Sequence, residues 1–212
     1  MTQEAEDSVW RWPLATFRDT LASDSPTPGG GSAAMVAATL GLRLVVMALR
    51  ITANKTEDRG FLDTLILSGE RLLRDLSDHA DADIVVFETY IAALKLPKGT
   101  EAEKAIRRAA LQDATIAATE IPLNAAQTAI EAIGLAAQAA SLASTQIVSD
   151  VGAGAATLQG AVAAVLYAVD VNLRGLDDQP KREDYARSRD RLADVADDRA
   201  RGIARLVRDR LR

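Results

Sequence analysis

The strongest chemical signal in the chain is Ser25-Pro26-Thr27-Pro28-Gly29-Gly30-Gly31-Ser32, which runs directly into a long apolar segment. The prolines stiffen the approach, since each fixes its own φ and restrains the residue before it. Three consecutive glycines let the backbone come close to a ligand. Ser32 is placed to cap a helix that opens with Ala33, Ala34, Met35 and Val36. The first N–H groups of such a helix have no internal partner, and its dipole favours an anion. A plain turn into a core helix uses the same residues. The pattern is not a Walker loop, because no Gly-Lys-Ser/Thr follows, nor the Gly-x-Gly-x-x-Gly that follows a strand in dinucleotide sites.

The remaining reactive side chains narrow the chemistry. There is no cysteine, which excludes disulfides and thiolate nucleophiles, and one histidine, His79, which all but excludes a His/Cys zinc site. His79 lies in a polar break among Ser77, Asp78 and Asp81 and reads as a surface residue. Asp78, Asp81 and Asp83 could hold a hard cation, but they lack the loop pattern of a calcium motif, so no metal is expected.

The elements that must position these residues read as helices. Alanine is abundant, aromatics make up 4 % of the 212 residues, and no stretch alternates as a strand does. A first helix spans Trp10 to Ala22, and a second, nearly uncharged until Arg43 and Arg50, runs from about Ala33 to Thr52. A third begins near Gly60 and breaks around Asp78 to Asp81; a fourth carries Ile84, Phe87, Ile91 and Leu94 and ends at Leu96-Pro97-Lys98-Gly99. Thr100-Glu101-Ala102-Glu103 is a capping box for a fifth helix, which Pro122 kinks or interrupts. Ser149-Asp150 caps an uncharged helix reaching about Leu173, and Gly175 to Pro180 links it to a charged terminal helix over residues 181–212. The expectation is an all-α fold: one domain over residues 1–212, a bundle of six to eight helices, with a flexible N-terminus to residue 9.

Net charge is −5, and the terminal helix mixes both signs, so no nucleic-acid partner is expected. Val151 to Val169 carries no charge, but it is rich in alanine and glycine and reads as a central bundle helix rather than a membrane span. Met1 to Asp7 is polar and acidic with no secretory signal, so the chain is expected to be cytoplasmic. Small residues from Gly152 to Ala164 permit close helix approach, and the uncharged helices hold more apolar surface than one protomer hides. A two-fold homodimer through them is expected.

Taken in order, Pro26-Thr27-Pro28-Gly29-Gly30-Gly31-Ser32, Asp83-x-x-x-Phe87, Leu96-Pro97-Lys98, Glu103-Lys104-x-x-Arg107, Pro122-Leu123, Ser149-Asp150 and Asn172-Leu173 resemble the formiminotetrahydrofolate cyclodeaminase / methenyltetrahydrofolate cyclohydrolase family. The resemblance implies an all-α dimer acting on one-carbon units of a tetrahydrofolate substrate, with no metal. It implies catalytic roles for Asp150, Asp83 and Lys55. Substrate binding is implied for Pro28, Gly29, Gly30, Gly31, Ser32, Lys98, Lys104, Arg107, Ser149 and Asn172.

Hydrolysis of 5,10-methenyltetrahydrofolate to 10-formyltetrahydrofolate is the first reading, and release of ammonia from the formimino compound by a cyclodeaminase is the alternative. Asp150 is the favoured base and cation stabiliser. Departures from the family pattern at Val85, Ser144, Thr145 and Ala168 motivate a third reading, a folate-binding or structural dimer without turnover. The first two readings require the carboxyl at residue 150 and the triple-glycine bend to share a cleft, within one chain or across subunits.

Overall fold

The computed structural model describes residues 8–212; the expected flexible N-terminus lies outside this range except for Ser8 and Val9. After a 3-10 turn at Val9–Arg11 come α1 (Leu14–Leu21), α2 (Gly30–Ala53), α3 (Gly60–Leu94), α4 (Glu101–Leu142), α5 (Val148–Leu173) and α6 (Gln179–Arg210). Six α-helices and no strand among the described residues make this an all-α fold.

The core follows from the two least charged helices. α2 buries Met35, Leu42, Val45 and Leu49, and α5 buries Val151, Leu158, Val162 and Leu166. Their backbones meet at Gly41 and Gly154: a Cβ on Gly154 would lie 2.5 Å from the Gly41 carbonyl oxygen. Only glycines allow so close a crossing. α2 also packs on α3; α4 packs on α3, α5 and α6; α6 lies along α5 as well. The outer side of α5 is uncovered in the single chain, with Ala153, Ala156, Gly160, Ala164, Tyr167 and Val171 exposed. α2 and α5 are long and apolar enough by composition to cross a membrane, and 61 % and 44 % of their apolar windows are buried within the chain.

Several boundaries differ from the sequence expectation. The first helix is split by Pro13, which stands at the N-cap of α1. No break occurs at Asp78 to Asp81; α3 is one helix of 35 residues. No glycine or proline stands there to end it. Its polar residues instead bind neighbours: Asp81 accepts from Ser8 Oγ at 2.7 Å and Val9 N at 3.0 Å, and Trp10 Nε1 donates to the Ser77 carbonyl at 3.0 Å. His79 is half-buried, 3.1 Å from Thr128 Oγ1, and burial pushes its pKa down. It is not the surface residue the sequence suggested.

Ser32 does not cap α2. Gly29 is the N-cap, and Ser32 is buried in the first turn. Likewise Ser149 and Asp150 stand inside the first turn of α5, whose N-cap is Ile147. The capping box at Thr100 forms as the sequence predicts, with the Glu103 N–H donating to Thr100 Oγ1 and the Thr100 N–H to Glu103 Oε2. Pro122 is carried inside α4 without ending it. α6 starts at Gln179, two residues before the expected Lys181, because Asp178 caps it by accepting from the Lys181 N–H at 3.0 Å.

Candidate active site

α2 begins where α5 ends, and between these ends, α3 and α4, lies a cleft of about 600 Å³. The loop supplies Pro26, Thr27 and Gly29, and the start of α2 supplies Gly30 and Gly31; α3 supplies Asp83, Phe87 and Tyr90. α4 adds Thr115 and Ala118, and the α5 end adds Ala168, Val171 and Asn172, with Arg174 at the following turn. Two aromatic rings and several small residues make walls suited to a flat, partly polar molecule.

Asp83 is the acid in this cleft. It sits within α3, but its Oδ2 accepts from the Ser32 backbone N–H at 2.9 Å and from Ser32 Oγ at 3.0 Å. Ser32 Oγ is also 3.0 Å from the Ala80 carbonyl, so the hydroxyl ties both helices together. Gly29 offers no side chain to cap α2, and Asp83 performs that task from the neighbouring helix. Gly31 is required by this contact, since a Cβ there would meet Asp83 Oδ1 at 2.1 Å. Burial pushes the Asp83 carboxyl above its ordinary pKa, against the two Ser32 hydrogen bonds that pull it down.

The other end of the cleft is braced. Gln112 Nε2 donates to the Gly175 carbonyl and its Oε1 accepts from the Asp177 N–H, both at 2.9 Å. Arg108 holds Asp177 through Nε at 3.0 Å and Nη2 at 2.8 Å. Arg174 has no hydrogen-bond or ion-pair partner among the described residues. It is the basic side chain lining the cleft, and sequence reasoning missed it. The available signal was its position directly after Asn172-Leu173.

The sequence-predicted residues therefore divide. Gly29, Gly30, Gly31, Ser32, Asp83 and Asn172 gather at or beside the cleft. Pro28 is buried behind the loop, facing a second hollow that includes Trp12 and Ile84. Lys98, Lys104 and Arg107 lie near the α3–α4 turn and do not line the cleft. Lys104 pairs with Glu101 at 2.7 Å, and Arg107 donates to the Leu94 carbonyl at the α3 C-terminus.

Lys55, Ser149 and Asp150 belong to the opposite end of the chain's fold, where Lys55 Nζ is 3.4 Å from Gln146 Oε1. Asp150 and Asn172 are separated by most of α5, about 33 Å along the helix. Within one chain the carboxyl of residue 150 and the glycine bend do not meet. Ser144, near the same end, has a buried hydroxyl without a partner among the described residues.

A helical bundle that sets one half-buried acid and one unpaired cation around an aromatic-walled cleft has the parts of an enzyme for a small, flat, acidic substrate. Residues 13–191 match the family described as Formiminotransferase-cyclodeaminase, and the chain belongs to it. A methenyltetrahydrofolate cyclohydrolase from Methylorubrum extorquens is 34 % identical over 174 residues, covering 81 % of this chain and 84 % of that one. The formimidoyltransferase-cyclodeaminase of Sus scrofa is 31 % identical over 97 % of this chain, which spans 38 % of that longer protein. In fold, the chain is similar to a formiminotetrahydrofolate cyclodeaminase from Thermotoga maritima, with TM-score 0.77, 22 % identity and coverage of 96 % and 98 %.

Proposed function

We propose that this chain hydrolyses 5,10-methenyltetrahydrofolate to 10-formyltetrahydrofolate. The observation that carries the reading is Asp83, half-buried in the cleft with Oδ2 held by Ser32 and Oδ1 without a hydrogen bond among the described residues. The methenyl bridge is an amidinium-like cation, so its carbon is already electrophilic and the reaction calls for no metal. Water adds to that carbon through oxygen, and Asp83 accepts the proton released. The hydroxyl of the adduct then loses its proton as the carbonyl forms, and the bond from carbon to N5 breaks. N5 takes up a proton and the formyl group stays on N10, with one proton released overall. Ionised Asp83 also favours the bridging cation. Burial raises its proton affinity above that of an ordinary carboxylate, which strengthens it as a base. Phe87 and Tyr90 offer faces for the bicyclic ring, and Arg174 offers a cation for a carboxylate of the glutamate tail.

The reading includes a two-fold dimer. The exposed α5 stripe repeats every three to four residues, and Leu40 and Met47 of α2 extend the same apolar exposure. If the α5 helices pair antiparallel about residue 162, Ala153 faces Val171 and Gly160 faces Ala164, with Ala156 and Tyr167 one residue out of register between them. Asp150 then comes level with the partner subunit's Arg174, at the mouth of the other cleft. Such a pairing gives Asp150 and Lys55 a route to the site that a single chain denies them.

A second reading, ammonia release from the formimino compound, is favoured by the match of almost the whole chain to a cyclodeaminase-bearing relative. One assay separates them, because the methenyl compound absorbs in the near ultraviolet and the formyl product does not. Loss of that absorbance is the expected result. Growth of it from the formimino substrate would favour the second reading. Neither change, with folate binding seen by calorimetry, would leave a binding or structural dimer.

A further inference from the structure

Pro122 is buried in the interior of α4, where a proline has a specific electronic consequence. It lacks the N–H that would bond the carbonyl four residues earlier, so the Ala118 carbonyl loses its helical donor. A half-buried carbonyl left in that state lowers the stability of the fold. Here another donor replaces it: Asn172 Nδ2 lies 2.6 Å from the Ala118 oxygen. Asn172 comes from the last turn of α5, and both residues line the cleft.

A primary amide carries donor and acceptor on opposite sides. With Nδ2 committed to Ala118, the flip of the Asn172 amide is fixed and Oδ1 is turned away from α4. No protein donor reaches Oδ1 among the described residues. We propose that Pro122 is a positioning residue: by withholding a donor from Ala118 it locks the Asn172 amide, so that Oδ1 accepts a hydrogen bond from an N–H of the bound ring system. The identity of that ring rests on the folate reading above; the lock itself does not. A ring with a donor edge, such as a bicyclic heterocycle bearing an amino group, is selected over an analogue with an acceptor there.

The test uses full-length Pro122→Ala, which returns the missing N–H to α4 and releases Asn172. The expected result is a rise in KM of about tenfold with kcat within about twofold, the size of one hydrogen bond lost on binding. In an Asn172→Ala background the same change should have no further effect on KM. Stability gives a parallel readout: Asn172→Ala lowers Tm in the wild-type chain and does not in Pro122→Ala.

Side-chain amide exchange, followed by nitrogen-15 NMR, separates the lock from the reaction. The Asn172 amide protons should be protected in the wild type and exchange freely in Pro122→Ala. Free exchange in the wild type, an unchanged KM in Pro122→Ala, or an equal penalty in both backgrounds overturns the proposal. A protected amide in a chain that turns over neither folate substrate supports the lock and removes the folate reading alone.

Discussion

Asp83 belongs to α3 but serves the start of α2, so one carboxyl group joins the two helices. Its carboxylate satisfies the Ser32 N–H and hydroxyl while its second oxygen has no hydrogen bond among the described residues. With Asp83 as the proposed base, Asp83→Asn keeps the shape and kcat should fall by about 10²- to 10⁴-fold in the absorbance assay. Wild-type kcat/KM should rise with pH through a value above the ordinary carboxylate range, because the base must be ionised. Stability moves the opposite way. The folded chain holds this proton more tightly than the unfolded one, so the favourable contribution of Asp83 is complete below the unfolded pKa and lost as pH rises through the folded one. At neutral pH Asp83→Asn should therefore melt no lower than the wild type, the activity loss notwithstanding. Arg174→Ala should raise KM about tenfold for the glutamate-bearing substrate and leave a tail-less analogue unchanged, which steady-state kinetics on the two compounds will show.

Among the elements, α2 and α5 decide the geometry because they approach through glycine. Gly154→Ala would drive a Cβ against the Gly41 backbone, which has no flexible end to move aside. A destabilisation of about 1–3 kcal/mol is expected, visible in thermal unfolding as a fall of several degrees. Gly202→Ala in α6 meets nothing within 4 Å and should raise stability by about 0.5–1 kcal/mol, through the gain in helix propensity. The length of α3 has a similar simple cause. A run of acids and one histidine lowers helix propensity only slightly, and it becomes a place for Ser8, Val9 and Thr128 to dock rather than a break.

For the whole molecule, the question is whether two chains build each site. If Asp150 acts in the partner's cleft, Asp83→Asn and Asp150→Asn are each inactive, and refolding them together restores about a quarter of wild-type activity. Half the mixed population is heterodimeric, and each heterodimer keeps one site with both carboxylates. No recovery on mixing, with both variants dimeric by sedimentation, would confine each site to a single chain. Tyr167→Asp, on the exposed side of α5, should give monomers by the same measurement.

Alanine-rich periodicity, the glycine–proline loop and the capping box at Thr100 specified local structure, so the sequence alone was enough to determine an all-helical chain and most helix ends. The glycines stood out by their own composition, whereas Asp83 and Asn172 were implied only by the resemblance of the ordered motifs to a known family. What tertiary structure decided was proximity. Asp83 reached Ser32 across 51 positions, Asn172 reached Ala118 across 54, and Arg108 reached Asp177 across 69. Asp150, favoured from the sequence, lies a helix length from the cleft it was expected to share. Linear order records which side chains exist, whereas their protonation, orientation and company depend on the neighbours that folding supplies.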